Sequence, residues 1–346
     1  MNLRPGKLPS ALLAQLLATI RPSDPRVIVG PGIGRDAAVI DIGGGRVLVA
    51  KTDPITFATE RIGWYAVHVN ANDIACMGAR PAWMLATALL PPGEPETLAD
   101  AIFGQLREAC ASLDVSLVGG HTEVTVGLER AIVVGMMMGE ASRDEIVTGE
   151  SVEAGDVVLL TKGIAIEGTS LLAREFPHVL RARGVDDATI ERARAMLFDP
   201  GISVVPEARA IMLVCHPRLF HDPTEGGIAT ALQEMAAAAG VRLAVDVDAI
   251  GVREETRAIC SALSLDPLGL LASGALLAII PAADVAAVTS ALAEVKIASR
   301  IIGTVEAGDA EAIMRAGGSS LPLPSFDRDE LARFYEAVEQ AKPRKE

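Results

Sequence analysis

Two short apolar runs, Ala-Ala-Val-Ile-Asp-Ile (37–42) and Arg-Val-Leu-Val-Ala (46–50), stand on either side of Gly43-Gly44-Gly45. Three successive glycines interrupt any helix and readily adopt the left-handed backbone of a tight reversal, so the segment is predicted as a β-hairpin. The next segments alternate in period. Residues 61–77 place Ile62, Tyr65, Ala66 and Val69 at helical spacing. Leu85–Leu90 reads as a strand closed by Pro91-Pro92-Gly93, and Pro95–Leu113 as a helix. Val115–Val118 and Ala131–Met138 read as strands, the second buried on both faces. The order strands, helix, strand, helix, strands predicts an α+β (mixed α/β) architecture rather than a βαβ repeat.

At 346 residues the chain is long for one core, and two domains are expected. The polar, turn-rich stretch 140–156 sets the boundary, giving domains 1–150 and 151–346. The second domain opens on a strand at Val157–Thr161. Helical patterns follow near 184–197, 202–214, 227–239, 252–263 and 283–294, with strands near 242–247, 275–280 and 298–304. Residues 327–341 read as a terminal amphipathic helix. The uncharged stretch Pro267–Ala283 is short for a membrane span and carries Gly269, Gly274 and Pro281, so a buried strand between turns is expected there.

Half the residues are apolar but only 3% are aromatic, so the core must be built from Ala, Val, Leu and Ile. A net charge of −14 argues against nucleic acid or an anionic membrane as partner, since both need a positive footprint. It is compatible with a nucleotide if Mg²⁺ sits between carboxylates and phosphates. Cys76, Cys110, Cys215 and Cys260 form no Cys-x-x-Cys pair, which predicts reduced core cysteines in a cytoplasmic protein rather than a disulfide framework or a zinc site. No signal peptide is read at the N-terminus.

Five segments are candidates for chemistry. In Gly30-Pro31-Gly32-Ile33-Gly34-Arg35-Asp36 the glycines, Gly32 and Gly34 among them, let backbone N–H groups approach phosphate oxygens; it is neither a Rossmann nor a Walker A loop. Asp53 follows the second hairpin strand, where an aspartate is also a common turn former. Asn70, Asn72 and Asp73 are poor helix formers inside a helical pattern, with Asn70 and Asp73 on one face; they either cap a break or meet a ligand. His68 and Cys76 on the same helix read as packing residues. Gly119-Gly120-His121-Thr122-Glu123 reads as a ligand loop after a strand, and His121 has no second histidine at metal-ligand spacing. In His221-Asp222-Pro223-Thr224-Glu225-Gly226-Gly227, glycines open a helix and fit an anion-binding N-terminus, while Asp222 or Thr224 also fits an ordinary N-cap. Acids at 36, 53 and 73 beside a glycine-rich turn suit oxygen coordination of Mg²⁺ on a polyphosphate.

The succession Gly34-Arg35-Asp36-Ala37-Ala38-Val39, Thr52-Asp53, Asn72-Asp73-Ile74-Ala75-Cys76-Met77-Gly78-Ala79-Arg80-Pro81, then Gly119-Gly120-His121-Thr122, resembles the AIR synthase-related superfamily (PurM, HypE, ThiL and selenophosphate synthetase). Asp222-Pro223-Thr224-Glu225-Gly226-Gly227 resembles its second-domain glycine motif, so the likeness spans nearly the whole chain. The 72–81 stretch is most like the HypE group. The resemblance implies a two-domain PurM-like fold. It implies a homodimer paired through the N-terminal domains, with ATP in a cleft near that interface. Asp36, Asp53 and Asp73 would hold Mg-ATP, with Asp222 and the following glycines facing them as a further metal and nucleotide wall. Asn70 and Gly119, Gly120, Thr122 and Glu123 join the expected nucleotide contacts, and Asp73 and His121 the expected catalytic residues. The implied activity is ATP-dependent phosphorylation of an oxygen on a small substrate.

Three positions depart from the family pattern. Arg35 stands where a second aspartate is usual, and His121 where an acid often follows the Gly-Gly pair; both bear on how many Mg²⁺ ions are held. The sequence ends Lys342-Pro343-Arg344-Lys345-Glu346, without the terminal cysteine that receives the carbamoyl group in HypE, so that reaction is not expected on this tail. Two alternatives follow. One is a HypE-like maturation factor working with a partner protein. The other is a nucleotide-binding subunit without catalysis.

Overall fold

The computed structural model describes residues 6, 8, 10–32, 34–316 and 319–341. The chain runs α1 (Ser10–Leu17), β1 (Val27–Val29), β2 (Ala38–Gly43), β3 (Arg46–Ile55), α2 (Ile62–Cys76), β4 (Arg80–Leu90), α3 (Glu96–Ser112), β5 (Ser116–Val124) and β6 (Ile132–Ser142). It continues β7 (Val157–Thr161), α4 (Ile166–Glu175), α5 (Pro177–Ala182), α6 (Asp187–Ala195), α7 (Val205–Met212), β8 (Leu219–His221), α8 (Gly227–Ala239), β9 (Arg242–Asp246), α9 (Glu254–Leu263), β10 (Leu277–Ile280), α10 (Val285–Glu294), β11 (Ser299–Glu306), β12 (Ala312–Ala316), β13 (Ser319–Pro322) and α11 (Glu330–Ala341).

Two mixed sheets result. The first has the order β1-β2-β3-β6-β4-β5 and the second β13-β12-β9-β11-β7-β10-β8. The hairpin forms as expected: β2 and β3 pair antiparallel, and Gly43, Gly44 and Gly45 all take positive φ. Alternation along β3 buries Val47 and Val49 and carries Lys51 and Asp53 onto that same face. On β6 it likewise buries Val133, Gly135, Met137 and Gly139 and leaves Met136 exposed. This corrects the expectation that the strand is buried on both faces. Helices α2 and α3 cover one side of the sheet, and the other side retains the half-exposed Trp83, Leu85, Val134 and Met138.

Helix α2 is buried at every position but Trp64, because it lies between the first sheet and the second half of the chain. The close fit is set by glycines: a Cβ on Gly135 would fall 2.4 Å from Asn70 Nδ2, and one on Gly139 2.4 Å from Ile74 Cγ2. The helix runs unbroken through Asn70–Asp73, so these residues cap nothing. Asn72 instead stitches the halves together. Its amide donates to Ile202 O (2.8 Å) and Asp222 Oδ2 (2.7 Å), and its carbonyl accepts from Val204 N (2.8 Å). His68 is a packing residue, its ring tilted 44° against Trp64 with centroids 4.5 Å apart, and burial pushes its imidazole down to about 3, keeping it neutral. Its ring nitrogens have no hydrogen-bond partner among the described residues. All four cysteines are buried and free. The Pro267–Ala283 stretch contains the buried strand β10, as expected, and no described helix is long and apolar enough to cross a membrane. The tail 342–346 lies outside the described residues.

Candidate functional site

Where α2 passes the end of β3, a cleft of about 340 Å³ opens between the two halves. Gly32, Gly34, Arg35 and Asp36 form one rim, Lys51, Asp53 and Asp73 the floor, and His221, Thr224, Glu225 and Gly226 the opposite wall. Gly34 takes φ 70°, and its backbone abuts α8 through Glu234 and Ala238, a close approach that the glycine permits. Ile33 lies outside the described residues. Phe326, Asp327, Arg328 and Asp329, ahead of α11, close the cleft from the far side.

The charges are strongly coupled. Lys51 Nζ lies 2.9 Å from Asp73 Oδ2 and 3.6 Å from Asp53 Oδ2. Burial alone would lower the Lys51 ammonium, but Asp73 and Asp53 outweigh it and hold its pKa above the usual lysine range. Asp73 is pushed up to about 7 by burial, with Asp36 and Asp53 adding to the rise and Lys51 opposing it. His221 Nδ1 lies 3.1 Å from Asp36 Oδ2 and its Nε2 3.5 Å from Glu234 Oε2. Burial opposes its charged form, yet the two carboxylates raise it to about 10, so it is an imidazolium at neutral pH. Asp329, which accepts from Gly226 N at 2.7 Å, is pushed up to about 7 by burial.

The cleft therefore gathers Gly32, Gly34, Asp36, Asp53, Asp73 and Gly226 of the residues expected from sequence. Others are placed elsewhere. Both oxygens of Asp222 are committed inward, Oδ2 to Asn72 and Oδ1 to Gly274 N at 3.1 Å, so it works as a core acceptor and not as a cleft-facing metal ligand. Asn70 is fully buried and donates to Ala66 O and Asp53 O, supporting the backbone under the site. Gly227 is held against Leu268 O, where a Cβ would come within 2.4 Å.

The largest correction concerns Gly119, Gly120, His121, Thr122 and Glu123. They form no loop; β5 runs on to Val124, pairing parallel with β4, Gly120 opposite Ala86 and His121 opposite Thr87. A Cβ on Gly120 would sit 1.8 Å from Ala86 O, so strand pairing itself demands the glycine. Every residue of β5 except Leu117 is exposed, and within one chain none of the five lines the cleft. His121 sits 3.5 Å from Glu123 on this outer edge.

Lys51, His221, Glu225 and Glu234 are cleft residues that the reading of the sequence did not single out as ligands. Lys51 was accessible through alternation alone, since Val47, Val49, Lys51 and Asp53 share a face. His221 depends on a long-range approach of β8 to the glycine loop, for which no local pattern exists.

The model of the AIR synthase related protein N-terminal domain matches residues 34–141, and that of the C-terminal domain residues 153–315. Carbamoyl dehydratase HypE of Cupriavidus necator is 30% identical over 274 residues, covering 75% of this chain and 72% of that protein. A crystal structure of hydrogenase maturation protein HypE superposes with a TM-score of 0.70 at 26% identity, covering 87% of this chain and 95% of that one. Another, of HypE in complex with ATP, gives 0.66 at 22% identity, covering 90% and 92%.

Proposed function

The chain belongs to the AIR synthase related protein family, and from that membership we propose that its acidic cleft binds Mg-ATP and that the protein phosphorylates an oxygen of a small substrate. The observation that carries this reading is the convergence of Asp36, Asp53 and Asp73 on one glycine-rimmed cleft, with Lys51 and His221 set among them. A HypE of this fold has been crystallised with ATP, which supports the same ligand here.

The donor set fits Mg²⁺. Asp36, Asp53 and Asp73 supply hard carboxylate oxygens, and the buried Asp73 Oδ2 is held by the Lys51 ammonium at 2.9 Å. Among the described residues, no three acidic, histidine or cysteine groups already surround one point. Lys51 must therefore turn from Asp53 and Asp73 toward a phosphate as the metal enters. Bound Mg²⁺ would neutralise phosphate charge. The rest falls to the protein. Backbone at Gly32 and Gly34 approaches the phosphates, Asp53 and Asp73 orient the metal side, and Arg35 and Lys51 offset charge on the transferred group. In the transfer, the bond from the γ-phosphorus to its bridging oxygen breaks, ADP keeps the electron pair, and the substrate oxygen forms the new bond and gives up any proton it carried.

A homodimer completes the reading. The exposed edge strand β5 and the half-open apolar face carrying Met136 are surfaces for a second copy. Gly119, Gly120, His121, Thr122 and Glu123 would then face a nucleotide across that interface.

A second reading, a HypE-like maturation factor acting with a partner protein, is favoured by the 30% identity to carbamoyl dehydratase HypE; it predicts ATP turnover only with the partner present. For either reading the decisive measurement is calorimetric titration with ATP and Mg²⁺. Wild type should bind, and Asp73→Ala should weaken binding at least tenfold, roughly 1.4 kcal/mol. Equal binding by that variant would overturn the site.

A further inference from the structure

Behind Asp53 the cleft narrows into a second pocket of about 40 Å³, which shares Asp53, Thr224 and Glu225 with it. Apolar side chains such as Phe57 and Leu171 wall this pocket, and Glu167 and Ser273 contribute its deepest polar groups. Glu167 is 4% exposed and Ser273 0%. Glu167 Oε2 and Ser273 Oγ lie close enough to influence each other, but neither makes a well-formed hydrogen bond to any described residue. An unsatisfied buried carboxyl is costly, and a fold keeps one where something else completes it.

The backbone holds Glu167 there with effort. Lys162 and Ala165, neither of them glycine, adopt left-handed φ of 56° and 57° just before α4. Glu167 N donates to Ser273 O, and Gly168 is pressed so close that a Cβ would lie 2.7 Å from Leu271 O.

The charge of the pocket is one-sided. Asp53, Glu167 and Glu225 line it, and among the described residues no lysine, arginine or histidine does. Burial without a counter-charge pushes Glu167 up to about 8. Asp53 is already paired with Lys51 at 3.6 Å, but a phosphate or carboxylate entering here would meet the buried Glu167 carboxyl with no cation in the lining. A primary ammonium would bring three N–H donors and a counter-charge for Glu167, and a pocket of this volume admits a group of that size.

We propose that this pocket is the substrate subsite and that it takes the ammonium end of a small amine, anchored by Glu167 and Ser273 beside the nucleotide cleft. The proposal rests on the nucleotide reading above and narrows it to a cationic, unphosphorylated substrate.

Three isosteric probes test it: ethanolamine, ethylene glycol and glycolate, which differ mainly in charge. Each is titrated by ligand-observed NMR onto protein already holding a non-hydrolysable ATP analogue and Mg²⁺. Ethanolamine should bind at least tenfold more tightly than ethylene glycol, and glycolate should show no binding. Glu167→Gln and Ser273→Ala should each weaken ethanolamine at least fivefold, with analogue affinity serving as the check that the fold is intact. Equal binding of the three probes, or ethanolamine binding indifferent to Glu167→Gln, would overturn the proposal. So would displacement of ethanolamine by equimolar potassium, which would make this a metal-cation site. Failure of the ATP analogue itself to bind would instead overturn the nucleotide reading.

Discussion

Lys51 Nζ sits 2.9 Å from Asp73 Oδ2 and 3.6 Å from Asp53 Oδ2, placing a tethered cation between two carboxylates assigned to the metal side of the site. An ammonium there has the charge sign, though not the coordination, of a metal ion, and it limits how many ions can enter. With a non-hydrolysable ATP analogue, wild type should bind one Mn²⁺ per site, counted by electron paramagnetic resonance of free Mn²⁺. Lys51→Ser should bind two. The variant should also lose stability without ligand, by less than the ~3–5 kcal/mol typical of breaking a fully buried pair, because Lys51 keeps some contact with water. An unchanged Mn²⁺ count would show that Lys51 does not limit metal entry.

His221 carries a pH signature. Its usual value of 6.5 is raised to about 10 in the fold, chiefly by Asp36 and then Glu234 working against burial. Below about pH 6.5 both folded and unfolded chains hold the proton, and the full stabilisation is present. As pH rises the unfolded histidine releases its proton first, so the contribution drains away until the folded group also titrates near 10. Thermal melts should therefore show wild type losing its advantage over His221→Gln steadily between pH 6.5 and 10. A constant difference across that window would remove the imidazolium assignment.

Asn72 gives the clearest stability test. Truncation to alanine removes its bonds to Ile202 O, Val204 N and Asp222, leaving buried polar groups on both halves unpaired. A loss of about 2–4 kcal/mol is expected from chemical denaturation. Since Asn72 neighbours Asp73 on α2, nucleotide affinity should fall as well. A loss under about 0.5 kcal/mol would mean that water replaces the amide.

These residues also show what was legible before the structure. Helices α2, α3 and α8 and strand β7 follow from period and turn chemistry and appear within a residue or two of expectation, while the hairpin forms where expected with its second strand five residues longer. Of the acids read from sequence, Asp36 lies just ahead of β2, Asp73 lies inside α2, and Asp53, expected to follow its strand, lies inside β3, which runs five residues past the expected end at 50. Asn70 and Asn72 were legible as anomalies in a helix, but not in role, because their partners lie up to 150 residues away. Gly119–Glu123 misled for a local reason. Two glycines followed by polar residues look like a loop, yet an edge strand open to solvent on both faces has no apolar alternation to reveal it. Helix α4 and its buried Glu167 were missed because no side-chain cap opens the helix and Gly168, Thr169 and Ser170 near its start are weak helix formers.

That edge strand leads to the remaining prediction. Met136 is 40% exposed on β6 and Val118 54% on β5, in the sheet proposed to meet a second copy. Burying the exposed part of such side chains between copies would contribute about half of the ~1.5–3 kcal/mol that full burial brings, whereas a carboxylate placed there would be desolvated without a partner. Met136→Asp should therefore shift the protein from dimer to monomer in light scattering, with little change in its melting temperature extrapolated to high dilution. If His121, Thr122 and Glu123 of the second copy complete the nucleotide site, the monomer should also bind ATP at least tenfold more weakly. A monomeric variant with full affinity would place the whole site within one chain and confine β5 to a structural role. A wild type that is itself monomeric at working concentration would remove the second copy from the site altogether.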